Sequence, residues 1–131
     1  MATGGEASVL TSMVDDRLLE PLLRPVWEFV VTDTRDEDDT GDTTQAIIIN
    51  GLLRKVILKA PDTTNAITSQ VVIKDNGDNT IFDSGEQAEN ATYTFNVDEP
   101  LSGTIDVVIG VSGAIGGSSI SSDIVVTLRG V

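Results

Sequence analysis

The chain has 131 residues, 21 acidic against 8 basic, a formal net charge of −13, and neither cysteine nor histidine. Without cysteine there are no disulfides, thiolate metal sites or cysteine nucleophiles, and without histidine the commonest general base, metal ligand and pH switch are missing. The acid excess opposes nucleic acid and anionic membranes, where Lys and Arg supply the affinity, so neither is an expected partner.

No apolar run reaches the ~20 residues of a transmembrane helix. The first residues, MATGGEASVLTSMVDD, lack the basic and apolar regions of a secretory leader. The expectation is a protein made and kept in a cytoplasm, or released by lysis. Residues 1–10 are small and polar, as flexible ends are. Over 12–24, Val14, Leu18, Leu19, Leu22 and Leu23 fall at helical spacing, with Thr11 or Ser12 as a cap and Asp15 and Asp16 in the first turn. Pro21 breaks a continuous helix. The pattern therefore predicts an arm over 1–25: a short helix ending before Pro21, then an extended lead to Pro25. Its leucines either fold back on the chain's own core or bury against another subunit.

From Val26 the apolar period becomes two. In VWEFVVT (26–32), Trp27, Phe29 and Val31 share a face; in YTFNV (93–97), Tyr93, Phe95 and Val97 do so. Ile105, Val107, Ile109 and Val111 alternate in the same way, as do Ile124, Val126 and Leu128, and Ile67, Val71 and Ile73. TQAIIIN (44–50) and LLRKVILK (52–59) are more continuously apolar, which suits strands covered on both faces. Asn50-Gly51, Ala60-Pro61-Asp62, Asp75 to Asn79, Glu99-Pro100, Ser102-Gly103 and Gly113 to Ser119 punctuate the runs. Asn50-Gly51 is a strong signal of two joined strands. The fold class predicted is all-β: an antiparallel, jelly-roll-like β-sandwich of about eight strands over 26–131, preceded by the arm. The segment Thr32–Thr44 is too polar to pack and is expected to be a long exposed loop.

Four motifs are candidates for chemistry. Asp33, Asp36, Glu37, Asp38, Asp39 and Asp42 crowd one segment and could supply oxygens to calcium, but the spacing of an EF-hand is missing and a solvated loop explains them better. Asp75, Asn76, Asp78, Asn79, Asp83 and Glu86, with Gly77 and Gly85, read as a tight hairpin before they read as a metal loop. Ser and Thr are plentiful, yet no histidine or cysteine partners them, and Lys55, Lys59 and Lys74 sit in alternating patterns that give them solvent. Two carboxylates could serve a glycosidase, but aromatics, the platforms for sugars, are only 4% of the chain. Gly116-Gly117-Ser118-Ser119 lacks the lysine of a phosphate loop and reads as a flexible connection. The expectation is a protein that is not an enzyme and carries no cofactor, calcium being the one weak exception.

The stretch from Ile49 to Leu128 contains NGLLRKVILKAPD, TSQVVIKDNGDNTIFDSGE, DEPLSGTIDVVIGVSG and DIVVTLRG. In these blocks the chain resembles small accessory structural proteins of tailed-bacteriophage virions. The shared pattern is a Gly-x-Leu strand closing at a proline (Gly51–Pro61), a hairpin about an Asp/Gly turn (Val72–Phe82), a strand after Pro100 and a short terminal strand at Ile124–Leu128. The resemblance implies a β-sandwich that decorates or cements a capsid, often as a homotrimer, or sits at the neck, collar or tail. It implies the major capsid protein or other virion subunits as partners, and location in a virion assembled in the host cytoplasm. It carries over no catalytic residue. Val14, Leu18, Leu19, Leu22 and Leu23 of the arm are the candidate partner-binding residues. A calcium-dependent module binding glycans or a host surface is the competing class.

Overall fold

The computed structural model describes residues 26–117 and 122–131 in full, and residues 7–15 by their backbone. Ten strands follow in chain order: β1 (Ala7–Asp15), β2 (Trp27–Arg35), β3 (Thr43–Ile48), β4 (Gly51–Ala60), β5 (Thr68–Lys74), β6 (Thr80–Asp83), β7 (Gln87–Ala88), β8 (Ala91–Leu101), β9 (Thr104–Val111) and β10 (Ser122–Gly130). Every pairing is antiparallel. One sheet has the order β1-β2-β10-β4-β8; the other runs β3-β9-β5-β6, with β7 also on β5.

The period-two residues meet between the sheets. Trp27, Phe29 and Val31 of β2, Val56 and Leu58 of β4, and Ile124, Val126 and Leu128 of β10 face Ile47, Val71, Ile73, Ile105, Val107 and Ile109 in one buried cluster. A fully buried side chain of this size contributes roughly 1.5–3 kcal/mol, so this layer is the main stabilising feature. Tyr93, Phe95 and Val97 are only half-buried, because β8 is a sheet edge; Phe95 packs edge-on against Phe82 at 5.3 Å.

Several sequence expectations are corrected. Residues 12–15 belong to β1, paired Ser12 to Val30 through Asp15 to Trp27, so the predicted helix is absent there. The open edge of β2 offers a full ladder of backbone partners, and such tertiary pairing outweighs a local helical pattern. Residues 16–25, with the rest of the predicted helix and the lead to Pro25, lie outside the described residues. Asn50-Gly51 joins strands of different sheets rather than a hairpin, with Ile49 N–H donating to Gly103 O at 3.0 Å. Nor is β3 covered on both faces: Ile47 is buried and Ile48 is 75% exposed. The segment 32–44 is not one exposed loop, because β2 continues to Arg35 and β3 begins at Thr43.

Candidate functional site

Two local arrangements stand out, at opposite ends of β2. At its start Trp27 is 1% exposed, packs edge-on against Phe29 at 5.6 Å and donates its indole N–H to Val131 O at 3.2 Å. Its ladder partner is Gly130. A Cβ on Gly130 would lie 2.3 Å from the indole Cζ2 and 2.1 Å from Leu52 O, so only glycine admits the ring. On β4, Lys55 faces Arg129 and Leu53 faces Gly130, which makes Arg54 an extra, bulged residue. Bulges re-aim side chains, and Arg54 is thrown outward.

These features frame an open cleft of about 430 Å³ lined by Val26, Trp27, Glu28, Arg54, Lys55, Arg129, Gly130 and Val131. Val26 is 40% exposed at its mouth. Arg129 Nε donates to Glu28 Oε2 at 2.7 Å, while Arg54 and Lys55 have no acidic partner among the described residues. The cleft is thus apolar with a cationic rim, in a chain of net charge −13. Asp15 pairs with Trp27, which lines this cleft. Of the five predicted arm residues, Val14 lies on β1 opposite Glu28. Leu18, Leu19, Leu22 and Leu23 lie outside the described residues.

At the other end of β2 lies the acidic segment. Asp36, Glu37, Asp38 and Asp42 are exposed, but Asp33, Arg35 and Asp39 are buried. Arg35 bonds Asp33 Oδ2, Gly41 O, Thr43 Oγ1 and Ile109 O, tying β2 to β3 and β9 of the other sheet. Burial pushes the Asp33 carboxyl up from its ordinary range, against the pull of the Arg35 guanidinium. No sequence pattern marks these three residues as interior, because polar flanks hide a strand that keeps alternating to Arg35.

The second acidic motif closes the β5–β6 hairpin. Asp75 Oδ1 accepts from Gly77 N–H and Asn79 N–H, both at 2.9 Å, and Asp78 takes a positive φ of 63°. Those bonds, those from Asn79 foremost, hold the Asp75 carboxyl below the usual range. Asp83 is lowered by Gln70 and by Gly85 N–H, and Glu86 accepts from Thr68 Oγ1 at 3.3 Å. Among the described residues no three of His, Cys, Asp or Glu gather as a metal-binding group, and no helix is long and apolar enough to cross a membrane. Gly116 and Gly117 both take positive φ, and Gly116 N–H donates to Glu37 O at 2.9 Å, linking that connection to the acidic segment.

No family model matches the chain, and no curated protein does. Among solved structures it is similar to TmCBM61 in complex with β-1,4-galactotriose, at 14% identity and a TM-score of 0.46, over 96% of this chain and 87% of that one. It is similar to infectious bursal disease virus Gt strain at 8% identity and a TM-score of 0.40, over 93% of this chain and 32% of that one. A third is a Yersinia pseudotuberculosis-derived mitogen, at 13% identity and 0.39, over 77% and 83% of the two chains. All three scores are below 0.5, and the two-sheet architecture rests on the strand pairing itself.

Proposed function

We propose that the chain is a non-enzymatic structural protein of a bacteriophage virion, a decoration or cement protein that stabilises the head through its arm and its sandwich. The observation that carries this reading is the apolar, cation-rimmed cleft at the root of residues 1–25. An exposed apolar recess favours burial against a partner, and Arg54 and Lys55, without an acidic partner among the described residues, suit an acidic one. The partners in this reading are the major capsid protein and further copies of the chain, as a homotrimer. Bound copies add interface area, and whatever binds only the assembled shell stabilises it by mass action. The acidic exterior suits a position outside the shell, away from packaged DNA.

The experiment is co-sedimentation of purified chain with undecorated capsids. Arg54→Glu with Lys55→Glu, and separately Leu18, Leu19, Leu22 and Leu23 all changed to Ser, are each expected to lower binding at least tenfold. Binding unchanged in both variants sinks the reading. Copy number per virion separates a shell protein, present in many copies, from a neck, collar or tail component, present in few.

The second reading is a calcium-dependent surface-binding module. It is favoured by the exposed acids Asp36, Glu37, Asp38 and Asp42, which crowd the segment between β2 and β3. A thermal melt with calcium and with chelator tests it, and an unchanged midpoint removes its support.

A further inference from the structure

The cluster at the end of β2 is unbalanced. Asp33 and Arg35 are 0% exposed and Asp39 is 2% exposed. Arg35 meets only one of the two carboxylates, at Asp33 Oδ2, 2.9 Å away. Asp39 Oδ2 accepts from Asp36 N–H at 3.0 Å. Among the described residues, Asp33 Oδ1 and Asp39 Oδ1 are buried with no hydrogen-bond partner. Two carboxylates against one guanidinium leave one acid without a charged partner among the described residues, an arrangement that burial penalises heavily. The described surroundings do not supply the missing charge. Asp36, Glu37, Asp38 and Asp42 of the same segment are acids, β3 offers the Thr43 hydroxyl, and β9 offers the Ile109 carbonyl. On β10, Asp123 is turned outward to Thr34, and the 112–117 connection has no charged side chain.

We propose that Asp33 Oδ1 and Asp39 Oδ1 line a site for one sodium ion, which completes the neutralisation Arg35 begins. The charge count selects a single positive charge. A divalent ion would leave an excess of positive charge beside Arg35, and among the described residues no third carboxylate joins the pair. The occupied site pins the 36–42 segment over the end of the core, and through Glu37 O it also holds Gly116. This inference does not depend on the virion reading.

The test is thermal unfolding of the full chain at constant ionic strength, in sodium against choline chloride. Wild type is compared with Asp39→Asn and with Asp38→Asn, an exposed acid beside the site. A site preferring the folded state tenfold shifts Tm by roughly 4 °C in a chain of this size. A sodium-specific rise lost in Asp39→Asn and kept in Asp38→Asn supports the site. A wild type indifferent to sodium, equal responses in all three proteins, or stabilisation by calcium alone overturns the proposal. If Asp39→Asn does not fold, carboxyl carbon NMR of wild type decides. A carboxyl shift of Asp33 or Asp39 on sodium addition supports the site, and the absence of one overturns it.

Discussion

At the scale of single residues, the pairing of Trp27 with Gly130 shows how little freedom the cleft floor has. The indole occupies the space that any side chain at 130 would need. Gly130→Ala is therefore expected to destabilise the fold by about 1–3 kcal/mol, the usual range for forcing atoms into a packed site. Denaturant unfolding checks it; a loss below about 0.5 kcal/mol would show that ring and strand shift aside freely. Trp27 was legible in the sequence as an interior residue, from its alternation with Phe29 and Val31. Gly130 was not, since a glycine near a strand end carries no sign of what lies above it. The same holds for Arg35, whose partners Thr43 and Ile109 come from other strands.

Among elements, the β5–β6 hairpin and β1 mark the two extremes of legibility. The turn from Asp75 to Asn79 is set by local chemistry: a carboxylate capping two backbone N–H groups, and residues that tolerate a positive φ. Its pH behaviour follows. The folded-state carboxyls of Asp75 and Asp83 are lowered, so their contribution is present above the ordinary carboxylate range and lost as pH falls through it. Asp75→Ala is expected to lower the neutral-pH midpoint and to flatten the acid limb of a Tm–pH profile below about pH 4. An acid limb as steep as in wild type would show that the turn bonds contribute nothing. In β1, by contrast, Val14 belongs to a run whose spacing also suits a helix. The pairing edge that decides for a strand is twelve or more residues away along the chain, in β2.

Over the whole molecule, charge and topology dominate. A net charge of −13 on one small sandwich produces self-repulsion that opposes the compact state. Screening lengths fall from ~30 Å at 10 mM salt to ~8 Å at 150 mM. Raising any inert monovalent salt over that interval is expected to raise Tm, in choline chloride as well as in sodium chloride. Calorimetry at fixed pH checks this, and a flat or falling Tm in choline would contradict it. The response is general, and is separable from the sodium preference expected at Asp33 and Asp39. Against this acidic background Arg54 and Lys55 form a local exception, made by a bulge in β4 next to the backbone bonds between Leu52 and Val131.

The sequence by itself determined the all-β class, the identity of most core residues and most of the turns, because alternation and turn chemistry act between near neighbours; Glu99-Pro100, read as a break, instead lies inside β8, paired to Leu53 and Leu52. It also removed histidine and cysteine chemistry outright. Only the tertiary structure decided which strands share a sheet, that β1 pairs on the edge of β2, and that the acidic segment hides a buried Asp33–Arg35–Asp39 cluster. It likewise placed a cationic rim around an apolar cleft. Each of these depends on contacts between residues far apart in the chain. Burial, pairing partner and local charge balance are properties of the assembled sandwich, and no short window of sequence contains them.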